Sequence, residues 1–143
     1  MNAKTAVTGV WSEGLEPLRS SLSIIIDLHF WAIVGVARIK SIRIPLFLAN
    51  ENRIKKSVWQ VAGLGARKTR PEGSPLTFLS RVNTPVLMLN GIYDQYFPFE
   101  TSQKPMYDLL SLKEPMKKMI TYESAHSPPS SETSKEILKW FRN

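Results

Sequence analysis

An aspartate and a histidine in the second half of the chain have the residue types and spacing of an acid–base pair. Asp94 follows an apolar run that ends in Asn90-Gly91, and His126 lies 32 residues further on, in a loop of small residues and prolines. A histidine can take a proton from a hydroxyl near neutral pH, and an aspartate can hold the imidazole in the required tautomer. The chemistry that this pair predicts is activation of a serine hydroxyl.

The segments around the two residues predict the elements that would position them. Residues 85–90 form a continuous apolar run bounded by Pro and Asn-Gly, which is typical of a buried parallel strand. Residues 119–122 predict a second strand, a helix is expected to begin near residues 101–102, and a last helix covers roughly 133–142. In this strand-helix-strand-helix order, the residues that follow the two strands meet at one edge of a sheet.

This part of the chain resembles the C-terminal part of a bacterial α/β-hydrolase-fold protein of the prolyl oligopeptidase and dienelactone hydrolase group. The matching segments are Pro85-Val-Leu-Met-Leu-Asn-Gly-Ile-Tyr-Asp94, Phe97-Pro-Phe-Glu-Thr-Ser-Gln103 and Ala125-His126. The resemblance implies an α/β fold with a partial hydrolase-like sheet, and cleavage of an ester or peptide bond through an acyl-enzyme. Asp94 would orient the ring, and His126 would act as general base and then general acid. No metal or organic cofactor is implied, and the substrate would be a small molecule or a peptide.

A serine nucleophile is harder to find. The family places it in a Gly-x-Ser-x-Gly turn, whose small residues let the strained serine backbone approach its neighbours. No such pentapeptide occurs in the chain, and the nearest match is Gly9-Val-Trp-Ser12-Glu-Gly14. Ser12 is the candidate nucleophile, although we favour the interpretation that Ser12 is an ordinary N-cap or loop serine. The chain is therefore expected to be a truncated or rearranged serine hydrolase that is inactive unless a serine is supplied.

The N-terminal half matches the family less well. We predict an N-terminal segment of undefined structure over residues 1–73 and a hydrolase-like C-terminal lobe over residues 74–143. Residues 42–49 look strand-like, although Pro45 would be excluded from a central strand. Residues 51–75 are basic and rich in Gly and Pro, which favours a linker or surface loop.

Charge offers a second class of function. The net charge of +7 comes from residues 1–83, with 12 Lys/Arg against 5 Asp/Glu, whereas residues 84–143 have 7 of each. The basic segment Arg53–Trp59 could bind phosphates, with Trp59 stacked on a base, as a non-catalytic module for nucleic acid or a protein partner. We favour a solvated basic loop over a nucleic-acid site, because no recognised nucleic-acid-binding motif is present.

Composition narrows the remaining classes. The chain has 143 residues and no cysteine, which excludes disulfides, thiolate metal sites and a cysteine nucleophile, and two distant histidines argue against a histidine-rich metal site. The apolar run 24–37 is too short for a spanning helix and contains Asp27, so we expect a buried strand or helix and no membrane span. A cytoplasmic location is the expectation. A lobe with few strands would leave an unpaired sheet edge, which predicts self-association.

Overall fold

The computed structural model describes residues 22–27, 30–36, 43–66 and 69–142. Within these ranges two successive strands are followed by an alternation of helices and strands. The strands are β1 Leu22–Asp27, β2 Phe30–Val36, β3 Ile54–Gln60, β4 Val86–Gly91 and β5 Lys117–Tyr122. The helices are α1 Arg43–Asn50, α2 Pro75–Leu79, α3 Lys104–Asp108 and α4 Ser130–Arg142, with a π-helical turn at Phe99–Gln103 directly before α3.

The five described strands form one sheet in the order β1-β2-β3-β4-β5. β1 runs antiparallel to β2, and β2, β3, β4 and β5 are parallel to one another. Parallel strands need a long crossover connection, and each parallel crossover here contains at least one helix. The carboxyl ends of β2 to β5 therefore lie at the same edge of the sheet, and the predicted α/β class is confirmed.

Both faces of β4 are covered, because every residue of this strand is buried. Side chains alternate along a strand, so Val86 and Met88 pack on the face covered by α1, α2 and α3. Leu87 and Leu89 pack on the opposite face, against partly buried side chains of α4. Burial of each such side chain stabilises the fold by about 1.5–3 kcal/mol. The strand that precedes Asp94 is thus buried along its whole length.

The strand expected at residues 42–49 is wrong, because this segment is helix α1. Pro45 lies in the first helical turn, where the missing N–H has no intrahelical partner to lose. Ile44 and Leu48, four residues apart, share one face of the helix and are both buried. The proline that argued against a central strand is better explained by this position.

The linker expected at residues 51–75 is also wrong over part of its length. Residues 54–60 are β3, which pairs in parallel with β2 on one side and β4 on the other. Val58 and Trp59 are fully buried on opposite faces of the sheet. The two lysines near the start of β3 made the segment look like a basic loop. Lys55 is exposed and Lys56 only half-buried, so both are compatible with a strand that is buried further along.

The strand-helix-strand-helix order predicted for the C-terminal half is confirmed. The second strand begins at Lys117, two residues before the prediction, and the last helix begins at Ser130, three residues before it. Strands from both sides of residue 73 share the sheet. The two outer strands of its described part are β1 and β5. Within the described ranges, no helix has the length and apolarity needed to cross a bilayer.

Candidate active site

The loop that follows β4 holds the carboxylate of Asp94 in one orientation. Its Oδ1 accepts hydrogen bonds from the backbone N–H groups of Tyr96 at 2.8 Å and Phe97 at 3.1 Å. The side chain of Asp94 has no exposed surface. An aspartate that binds amides two and three residues further on stabilises a tight turn and leaves its second oxygen directed away from the turn.

The loop that follows β5 folds back over the end of β4. The backbone N–H groups of Ile92 and Tyr93 donate to the carbonyls of Tyr122 at 2.9 Å and Ser124 at 3.0 Å, respectively. Gly91 permits this crossing, because a Cβ at that position would overlap the carbonyl oxygens of Ser124 and Ala125. The loop with Asp94 (residues 91–97, the acid loop) and the loop with His126 (residues 123–129, the histidine loop) are therefore joined by backbone hydrogen bonds.

The two loops bring Asp94 and His126 into contact. The distance from Asp94 Oδ2 to His126 Nδ1 is 2.9 Å. In a neutral imidazole Nδ1–H donates this bond, so Nε2 is left as the acceptor. The His126 side chain is 19% exposed, so the ring lies at the rim of the fold while its carboxylate partner lies beneath it.

Aromatic rings enclose the imidazole on the side of the acid loop. The Tyr96 ring meets the His126 ring edge-on with centroids 4.9 Å apart, and the Phe97 ring lies at 6.2 Å, tilted by 31°. Phe97 is buried against Gly63, which follows β3, and a Cβ on Gly63 would overlap the Phe97 side chain. Phe97 therefore lies between the His126 ring and the backbone that follows β3.

The backbone that follows β3 is hydrogen-bonded to Asn90, the residue directly before the acid loop. Asn90 is fully buried, and its side-chain amide accepts from the Ala62 N–H at 3.2 Å and donates to the Ala62 carbonyl at 2.6 Å. Next to this bonded pair, Val61 has a φ of 54°, a conformation that costs a β-branched residue about 1–3 kcal/mol. The Val61 N–H is fixed by the Leu89 carbonyl at 3.0 Å. The packed sheet thus holds a strained backbone conformation next to the residue that is bonded to Asn90.

The structure thus joins two of the three predicted site residues. Asp94 and His126 are in contact, and Ser12 lies outside the described residues. Sequence reasoning missed the supporting roles of Asn90 and Gly91, although their sequence was noted as the end of a strand. It also missed Gln103, a fully buried polar residue that donates to two backbone carbonyls of the acid loop. A polar residue within the apolar positions of a helical segment is the one signal that could have indicated it.

A metal site is not visible in the part of the chain that the structure describes. No group of three or more His, Cys, Asp or Glu side chains converges there. The Asp94–His126 contact is a pairwise hydrogen bond at the edge of the sheet. Its geometry suits orientation of an imidazole.

The basic segment proposed for nucleic-acid binding has a different structure from the one expected. Trp59 has no exposed surface, so its ring cannot stack on a base in this conformation. Arg53 binds the carboxylate of Glu51 through Nε at 2.8 Å and a terminal nitrogen at 2.6 Å. This hydrogen-bonded pairing with Arg53 lowers the pKa of Glu51 to about 2. Part of the positive charge of the segment is thereby neutralised locally.

Comparison with solved structures places this architecture among the α/β-hydrolases. A protein from Klebsiella pneumoniae subsp. pneumoniae described as a dienelactone hydrolase superposes with a TM-score of 0.65 at 22% identity, covering 82% of this chain and 53% of its own. A cold-adapted esterase from an Arctic intertidal metagenomic library gives 0.57 at 17% identity, covering 75% and 47%. The acylaminoacyl peptidase of Pyrococcus horikoshii gives 0.54 at 15% identity, covering 71% and 20%.

The chain therefore has the α/β-hydrolase fold, as its C-terminal half predicts, and it spans about half the length of the first two of these structures. Identities at this level describe the fold alone. No protein-family profile matches the sequence, and no curated protein matches it.

Proposed function

We propose that Asp94 and His126 form the acid–base part of a serine-hydrolase centre that cleaves an ester or peptide bond. The observation that carries the proposal is the 2.9 Å contact between Asp94 Oδ2 and His126 Nδ1, with Oδ1 already engaged by two backbone amides. A carboxylate fixed in this way can hold only one oxygen toward the ring. The α/β-hydrolase fold of the neighbouring structures supports the same reading.

The chemistry assigned to the pair follows from the tautomer. With the proton of Nδ1 bound to Asp94, Nε2 can accept the proton of a serine hydroxyl while Oγ attacks the carbonyl carbon of the substrate. The leaving alcohol or amine takes that proton from Nε2 as the acyl-enzyme forms. Water then gives a proton to Nε2 as its oxygen attacks the acyl carbon. Nε2 returns that proton to the serine oxygen, which leaves as the carboxylic acid is released. Asp94 stabilises the imidazolium in both steps.

The proposed centre also requires a serine nucleophile. Ser12 lies outside the described residues. In α/β-hydrolases the nucleophile occupies a strand-to-helix turn at the carboxyl end of a parallel strand. Among the described elements, β2 followed by α1 is such a unit, and the sequence between them, residues 37–42, has no Gly-x-Ser-x-Gly and a single serine, Ser41. Ser12 and Ser41 are therefore the serines to test.

Hydrolysis of short-chain nitrophenyl esters by the purified chain tests the proposal. Activity that is lost on His126→Ala and kept on Ser127→Ala, an exposed neighbour in the same loop, supports it. Ser12→Ala and Ser41→Ala then identify the nucleophile by loss of the acyl-enzyme burst. Hydrolysis that survives His126→Ala refutes the assigned role. A wild-type chain without turnover leaves no hydrolase activity to assign to it.

A further inference from the structure

A buried glutamine holds the acid loop at both of its ends. Gln103 has no exposed surface, and its Nε2 donates to the carbonyl of Gly91 at 2.8 Å and to that of Phe97 at 2.7 Å. Gly91 is the last residue of β4, and Phe97 is the residue whose N–H binds Asp94 Oδ1. One side-chain amide therefore fixes the two ends of the segment that carries Asp94.

The π-helical turn Phe99–Gln103 explains how Gln103 reaches this position. The N–H groups of Ser102 and Gln103 both donate to the Pro98 carbonyl, at 2.9 and 3.3 Å. The wider turn lets two consecutive polar residues face the interior, where both are buried. Ser102 Oγ donates to the Leu64 carbonyl at 2.8 Å, beyond β3, while Gln103 points into the acid loop.

We propose that Gln103 is the positioning residue of the Asp94–His126 pair. It touches no reacting atom, and it acts by keeping segment 91–97 in the conformation that presents Asp94 Oδ2 to His126 Nδ1. This inference rests on the proposed function for its catalytic meaning. Removal of the amide leaves two carbonyls without their donor, and the loop must move to bring them to water, which carries Asp94 away from the imidazole.

The positioning role of Gln103 depends on the N–H donors of its side-chain amide and not on its carbonyl oxygen. Gln103 Oε1 is buried without a partner among the described residues, so the two Nε2 protons supply all its described side-chain hydrogen bonds. Methionine has a similar shape and no donor. Glutamate keeps one donor when protonated and has none when ionised, when it also directs negative charge at the Gly91 and Phe97 carbonyls.

The test compares Gln103→Met and Gln103→Glu with wild type and with Gln95→Met, which makes the same change at an exposed position in the same loop. The readout is nuclear magnetic resonance of His126: the low-field proton of the Asp94-bound Nδ1–H and the ¹⁵N shifts that report the tautomer. Circular dichroism and urea unfolding confirm that each variant is folded. We expect wild type and Gln95→Met to show the bonded Nδ1–H tautomer and folded Gln103→Met to lose the low-field resonance.

Gln103→Glu keeps the proposal testable if the methionine variant does not fold. Relative to wild type at each pH, it should retain the resonance under acidic conditions and lose it as the introduced carboxyl ionises. A folded Gln103→Met with the wild-type resonance and tautomer, or a Gln103→Glu variant that follows wild type at every pH, overturns the positioning role and leaves only a contribution to stability.

The same variants separate this role from the proposed function. Where esters are hydrolysed, kcat should fall on the order of 100-fold in Gln103→Met with little change in KM, because the loop is displaced while substrate contacts remain. If the resonance is lost in Gln103→Met but wild type hydrolyses nothing, the positioning of the pair holds and the hydrolase function fails. If esters are hydrolysed equally well by Gln103→Met, the positioning role fails and the function holds.

Discussion

Replacement of Asp94 by asparagine should reverse the tautomer that the site imposes on His126. In the structure Oδ1 is bound by the N–H groups of Tyr96 and Phe97, and these two donors must still meet an oxygen in the variant. The new Nδ2 amide is therefore forced to the position of Oδ2, 2.9 Å from His126 Nδ1. An amide there can only donate, so Nδ1 becomes the acceptor and the proton moves to Nε2.

The expected magnitude follows from this reversal. An Nε2 that already has a proton cannot take one from a serine, and such a tautomer error lowers kcat by about 10⁴-fold in a serine protease. That factor corresponds to about 5.5 kcal/mol of activation free energy. The free energy of unfolding should fall by only about 1–3 kcal/mol, because the two backbone hydrogen bonds persist and only their charge assistance is lost.

Two measurements check the Asp94→Asn variant. The ¹⁵N shifts of His126 should change from those of the Nδ1–H tautomer to those of the Nε2–H tautomer, and ester hydrolysis should fall as stated. Asp108→Asn is the matched control, because Asp108 is an exposed carboxylate paired with Lys104 at 3.1 Å on α3. An unchanged His126 tautomer in folded Asp94→Asn, or a loss of activity of less than tenfold, would refute the orientation argument.

Three further predictions concern packing and pH. Gly91→Ala should displace the histidine loop, because its Cβ would overlap the Ala125 carbonyl. Urea unfolding should show that the free energy of unfolding falls by about 1–3 kcal/mol. Nuclear magnetic resonance should show loss of the His126 low-field proton. Trp59→Ala should cost about 3–5 kcal/mol in the same assay because the ring is fully buried, whereas Trp59→Phe should cost less, since Nε1 has no partner among the described residues. Burial, and then the charge of Glu136, raise the pKa of Tyr122 above its ordinary value of 10.0, so the folded state favours the neutral phenol. The resulting stability is complete below that ordinary value and is lost as pH rises through the raised one, a loss that Tyr122→Phe should reduce in alkaline unfolding titrations.

Each of these three has an outcome that contradicts it. A Gly91→Ala variant with wild-type stability would show that the histidine loop does not need the close approach. Equal costs for Trp59→Ala and Trp59→Phe would show that the indole nitrogen is bonded. An alkaline unfolding curve that is the same for Tyr122→Phe and wild type would show that this phenol is not the group that titrates.

The sequence predicted those features that depend on neighbours along the chain. The apolar run before Asn90 is bounded by Pro85 on one side and Asn-Gly on the other, so the strand that precedes Asp94 could be predicted from local sequence. Where tertiary burial competed with composition, the prediction failed. The lysines at positions 55 and 56 and the glycines beyond them suggested a loop, yet β3 pairs on both sides and buries Trp59 completely. Pro45 was interpreted as evidence against a central strand. In helix α1 it lies in the first turn, where its missing N–H costs no hydrogen bond.

The sequence by itself thus determined which acid and which base are available, and that each follows a strand. Only the tertiary structure decided that 32 residues of separation close to a 2.9 Å hydrogen bond. Asn90 binds Ala62 across 28 residues, and the Gly91 crossing requires the loop beyond β5. A hydrogen bond between distant residues leaves no period or spacing in the sequence, because its geometry exists only after the sheet has brought the carboxyl ends of its strands to one edge.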